Sequence, residues 1–255
     1  MKKLILFIFC SLNFSASSQD IKNINELENL SVDPFEYIYL CEKNKIIKIE
    51  NTNKKRLEYD FSKFGQLTKL ITSNPLRTTL FFEESQTIIF LDKNLNKLNI
   101  ELKFQNFQNN IISDIAIHSN LIFLLSEKNQ EICTYDFKKN KITNCNRKIE
   151  IDKNMYLKVF YNQGFIILIN NEEGLILDEN LIFKTRIKLK NCTDLFFNND
   201  SVYLNVENKL YKSSIMNMNE HVFIKNLPEN NLFFVQNNFL FGLQNSFFWQ
   251  EKLTK

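Results

Sequence analysis

The chain alternates short apolar runs, rich in Ile, Phe, Tyr and Val, with clusters of Asn, Asp, Lys and Ser. Runs of this length bounded by turn-forming residues read as β-strands. Residues 37–40, 45–49, 79–82, 87–91, 121–125, 165–169, 202–206 and 239–243 are such runs. No window sustains an i, i+3, i+4, i+7 stripe long enough for a helix, so the pattern predicts an all-β chain.

A repeat organises these strands. Ile88-Ile89-Phe90-Leu91-Asp92-Lys93-Asn94-Leu95 returns as Gly174-Leu175-Ile176-Leu177-Asp178-Glu179-Asn180-Leu181. The acids that close the equivalent strands, Glu50, Asp92, Asp136 and Asp178, follow at steps of 42, 44 and 42. A period near 40 with about four short strands per unit marks propeller blades. Six blades are predicted over residues 27–61, 67–104, 111–149, 155–189, 192–224 and 231–253. The last has room for three strands, and residues 21–24 are expected to add its fourth, which would remove an exposed sheet edge. The alternative is a β-sandwich of two packed sheets, which gives no reason for a regular step.

Composition narrows the class. With 44% hydrophobic and 13% aromatic residues, the 255-residue chain cannot be a disordered one. Four Gly are few for some twenty tight turns, and the 37 Asn are expected to take the left-handed positions instead. Asn44, Asn120, Asn170, Asn171, Asn198, Asn199, Asn237 and Asn238 stand where those turns fall.

Met1-Lys2-Lys3, the apolar run 4–9 and the small residues Ser15-Ala16-Ser17-Ser18 read as a secretory signal. Cleavage is expected after Ser18, which gives a signal peptide over 1–18 and a single propeller domain over 19–255. The bulky Phe9 disfavours lipidation at Cys10, and no stretch approaches the roughly 18 apolar residues of a membrane span. The mature chain carries 30 basic against 29 acidic residues, so neither nucleic acid nor an anionic surface is expected as partner. Export makes a disulfide possible. Cys133 and Cys145 face each other across a hairpin that turns near Lys139-Asn140, and a bridge and two unpaired thiols both stay open.

Signals for chemistry are sparse. The dispersed glycines make no phosphate-binding loop or nucleophile elbow, and two histidines cannot build a three-histidine metal site. No cofactor, metal or catalytic set is assigned. Asp92-Lys93-Asn94-Leu95-Asn96 has the alternation of a calcium loop, but Lys97 stands where such a loop needs glycine. The repeated acids are better read as turn formers that accept from their own backbone. Asp114 and His118 could form an oriented acid–base pair, although a histidine in the turn 118–120 more simply caps its own loop. Arg77, after Asn74-Pro75, could present a bidentate site near the axis, or brace blades by pairing with Glu83 or Glu84. Arg77, Asp114 and His118 are therefore the candidate ligand-binding residues.

Ser73-Asn74-Pro75-Leu76 with the following aromatic strand, and the Leu91-Asp92-Lys93-Asn94-Leu95 hairpin, resemble a family of uncharacterised exported β-propeller-like proteins of Bacteroidetes. The resemblance covers most of the mature chain in pattern and the second blade closely. It implies a six-bladed propeller and an envelope location in a Gram-negative bacterium, either periplasmic or at the outer surface. The sequence thus points to a monomeric, non-catalytic binding or assembly module whose partner is another envelope protein or a small ligand. The alternative is a propeller enzyme of lyase or hydrolase type with a site at the axial mouth.

Overall fold

The computed structural model describes residues 27–50, 55–104, 111–126, 128–146, 156–198, 200–228, 232–244 and 247–253. Among them, 23 strands form six antiparallel sheets in sequence order. The first blade holds β1 (Leu27–Val32), β2 (Ile38–Glu42), β3 (Lys45–Ile49) and β4 (Arg56–Asp60). The second holds β5 (Lys69–Ile71), β6 (Arg77–Phe82), β7 (Thr87–Asp92) and β8 (Lys97–Lys103). The third holds β9 (Asp114–His118), β10 (Leu121–Ser126), β11 (Glu131–Asp136) and β12 (Lys141–Asn146). The fourth holds β13 (Lys158–Asn162), β14 (Phe165–Ile169), β15 (Glu173–Asp178) and β16 (Phe183–Lys188). The fifth holds β17 (Cys192–Asn198), β18 (Ser201–Val206), β19 (Lys209–Ser214) and β20 (Val222–Asn226). The sixth holds β21 (Leu232–Gln236), β22 (Phe239–Gln244) and β23 (Phe247–Lys252). The first strands of the blades gather around a common axis, and β1 lies beside β21 so that the ring closes. The molecule is a six-bladed β-propeller, and the 42-residue step was its blade repeat.

The apolar runs are continuous because each blade is packed on both faces. In β7, Ile89 and Leu91 enter the core shared with the first blade, whereas Ile88 and Phe90 enter the core shared with the third. In β10, Ile122 and Leu124 face the second blade, while Phe123 and Leu125 face the fourth. Alternation therefore sorts side chains between two cores rather than between core and water. Fully burying each such side chain stabilises the fold by about 1.5–3 kcal/mol. Solvent exposure is greatest at outermost strands such as β16, which is mostly exposed, and β8, which has no fully buried residue; both are rich in charge.

Three of the four repeated acids shape turns, and the residues that follow the fourth, Glu50, lie outside the described residues. Asp92 Oδ1 accepts from the backbone N–H of Asn94 and Asn96 at 2.8 Å, and Asp178 Oδ1 from Asn180 and Ile182 at 2.9 Å. Asp136 Oδ1 accepts from Lys138 at 3.0 Å and Lys139 at 3.1 Å. The left-handed positions are only partly asparagine. Asn140, Asn191, Asn208, Asn237 and Asn238 have positive φ, but Ser119 takes that place instead of Asn120, and Gln86, Gln130, Gln163 and Glu207 take others. The residues foreseen as the sixth blade's fourth strand, 21–24, lie outside the described residues.

Candidate functional site

The first strands enclose an axial cavity of about 440 Å³ to which all six blades contribute. Its polar wall is built from residues one blade apart. Lys69 Nζ donates to Asp114 Oδ2 and to the Val159 carbonyl, both at 2.7 Å, and Asp114 Oδ2 also accepts from Val159 N–H at 2.7 Å. One buried carboxylate thus ties β5, β9 and β13 together. Lys69 further lies 4.9 Å from the centre of the Phe160 ring. Burial holds its ammonium below the usual lysine value, with Asp114 pulling it back up. Lys158 repeats the device toward the fifth blade, donating to Asp194 Oδ1 at 2.8 Å and to the Thr193 carbonyl at 2.7 Å. Phe160, Phe196, Phe233 and Phe234 give the wall an aromatic section, beside leucines and small polar residues.

A second cavity, about 540 Å³, opens at the opposite ends of β5, β9 and β13. Arg77, His118, Tyr161 and Asn162 line it together with the Ser73-Asn74-Pro75 connection. The Arg77 guanidinium lies against the paired rings of Phe90 and Phe137, 5.1 Å from each centre, and donates to the Ser119 carbonyl at 2.6 Å. His118 stacks on Tyr161 with ring centres 4.4 Å apart.

This arrangement separates the residues singled out from sequence. Asp114 opens β9 and His118 ends it, about 13 Å apart along the strand at roughly 3.3 Å per residue. They form no acid–base pair, and His118 packs on the fourth blade instead of capping its own loop. Arg77 does not pair with Glu83 or Glu84, because those acids follow the far end of β6. Nor does it pair with Asp92 opposite in register, whose carboxylate is occupied by its own turn. Arg77 and His118 do share one cavity, which spacing could not reveal. Sequence reasoning missed Lys69, Lys158 and Asp194. A signal existed, since Lys69, Asp114 and Val159 stand 45 residues apart, close to the blade repeat.

Cys133 and Cys145 are paired in register across β11 and β12 and joined by a disulfide with an S–S distance of 2.04 Å. Glu131 lies close to both sulfurs, and this is the one grouping of three metal-ligand-type side chains among the described residues. Its two sulfurs are spent on each other. Cys41 and Cys192 are free thiols that burial pushes up to about 12. No helix among the described residues is long and apolar enough to cross a membrane.

The fold and the two cavities described above define a six-bladed propeller with an ion-paired, partly aromatic axis. No protein-family profile and no curated protein matches the chain. Solved structures do match in shape. The catalytically inactive H270A virginiamycin B lyase from Staphylococcus aureus, solved with quinupristin, has a TM-score of 0.61 and 15% identity, over 92% of this chain and 88% of that one. The Pan2 WD40 domain of Neurospora crassa has a TM-score of 0.59 and 11% identity, over 86% and 76%. PorZ, an essential bacterial surface component of the type-IX secretion system of Porphyromonas gingivalis, has a TM-score of 0.52 and 12% identity, over 89% of this chain but 33% of PorZ. At these identities the likeness establishes the propeller fold and nothing finer.

Proposed function

We propose that this chain is an exported, non-catalytic binding or assembly module of the Gram-negative cell envelope. One observation carries the reading: the candidate chemical groups span blade boundaries and serve as braces. Asp114 joins three blades, Lys158 joins the fourth to the fifth, and Arg77 and His118 each pack across a boundary. Groups held this way make a stiff ring, and stiffness lowers the ordering cost of binding a partner. Exposed Phe183 on β16 and Val222 and Phe223 on β20 add apolar contact area to two consecutive outer strands. The signal-like N-terminus and the resemblance to exported Bacteroidetes proteins support the location. PorZ, which shares the fold, is a surface component of a secretion system, and this supports an envelope location.

The competing reading is a lyase or hydrolase working at the axial mouth, favoured by the shape match to streptogramin B lyases. Affinity capture of the tagged protein from its native envelope separates the two. Recovery of a stoichiometric envelope protein is expected, and its loss on Phe183→Asp with Phe223→Asp would locate the contact. Recovery of the chain alone with a metal or metabolite that it chemically converts would overturn the module reading.

A further inference from the structure

We propose that the cavity between the second, third and fourth blades is a binding site for a small organic carboxylate with an apolar body. The inference goes beyond the assembly reading and stands whether or not the protein has an envelope partner.

The central observation is a cation without a counter-ion. Arg77 is half-buried against a pair of phenylalanine rings, and among the described residues it makes no ion pair. Its Nε is buried and has no hydrogen-bond partner. Burial alone pushes its pKa down, with no acid to offset the effect. A half-buried guanidinium whose buried donor is unsatisfied is costly unless an anion offsets its charge. Asn162 lines the same cavity, and its own buried amide nitrogen also has no hydrogen-bond partner. No Asp or Glu lines the cavity, so its polar wall consists of donors and neutral groups around one fixed positive charge.

These features select the ligand class. Orphan donors beside a guanidinium suit an oxyanion. One arginine balances one negative charge, which favours a carboxylate over a doubly charged phosphate. The volume of about 540 Å³ far exceeds a bare carboxylate and falls in the range of small-molecule sites. Ile71, Pro75, Ile117 and the Tyr161 ring supply an apolar wall for the rest of the molecule. The carboxylate could belong to a free acid or to the C-terminus of a short apolar peptide, and the chemistry recognised is the same.

The test is calorimetric titration of the mature chain with N-acetylphenylalanine, with a short apolar peptide, with the C-terminal amide of each, and with inorganic phosphate. Either acid should bind while its amide does not, and the acid that binds identifies the source. Arg77→Gln and Asn162→Asp should each weaken binding by about tenfold or more, roughly 1.4 kcal/mol. Should Arg77→Gln fail to fold, Asn162→Asp alone decides, because it places a negative charge against the incoming anion. Equal binding of acid and amide, preference for phosphate, no binding at millimolar concentration, or unchanged affinity in Asn162→Asp would each overturn the site.

Discussion

Turn chemistry at single residues carries much of the fold. Lys184 and the N–H groups of Ile182 and Asn180 hold the Asp178 carboxyl below the usual carboxylate range. Its folded-state pKa is depressed, so its contribution is complete above the unfolded value of about 3.9 and is lost as pH falls through the folded value. Urea unfolding should therefore find Asp178→Asn less stable than wild type near about pH 5, with the gap closing near about pH 2. An equal gap at both would refute the assignment. The acids were legible because their step repeats. The glutamines were not. Gln86 Oε1 accepts from Ile112 N–H at 2.8 Å while its Nε2 donates to the Ile112 carbonyl at 2.9 Å. Gln130 Oε1 likewise accepts from Tyr156 N–H at 2.8 Å, in the next blade. Their backbone φ of 47° is a conformation expected of Asn or Gly, and the two-way clamp on the chain entering the following blade compensates for the strain.

At the scale of strands and blades, cross-strand neighbours decide stability. The Cys133–Cys145 bridge closes a loop with a sequence separation of 12, so its reduction should cost about 3 kcal/mol. A urea midpoint unchanged by thiol reductant would contradict this. Gly242 faces Trp249 in register, and a Cβ added there would lie 2.1 Å from the indole Cζ2. Gly242→Ala should therefore lose about 1–3 kcal/mol by overpacking, and Trp249→Phe in the same chain should recover part of it. Thermal unfolding of the single and double variants checks both statements. Alternation puts Phe248 and Trp249 on opposite faces of β23, which in an isolated sheet would leave one of them to solvent. Instead Phe248 packs in the seam with the first blade and Trp249 in the seam with the fifth, since a blade has a neighbour on each side.

For the molecule as a whole, the ring stands on contacts about one repeat apart. Ser31 meets Thr72 at 2.7 Å, Lys69 meets Asp114 at 2.7 Å, Lys158 meets Asp194 at 2.8 Å and Asn198 meets Asn238 at 2.8 Å. The seam between last and first blades is made differently, by Leu243 among Leu30, Ile38 and Leu40, and by the Asn237 amide on the Pro34 carbonyl at 3.2 Å. Asp114→Asn keeps an acceptor for Val159 but strands the Lys69 ammonium, and should cost about 3 kcal/mol. Adding Lys69→Met should restore part of that loss in urea unfolding, and a further drop would show that the pair is not what braces the axis. The sequence by itself determined the strands, their period, the six blades and the acids that make the turns, because these depend on alternation and on local hydrogen bonds. Only the tertiary structure decided which face of a strand meets which blade, that Lys69 completes Asp114, and that Arg77 and His118 share a cavity away from Asp114. Those relations arise from closing the ring, which brings together residues a whole blade apart that no local pattern links.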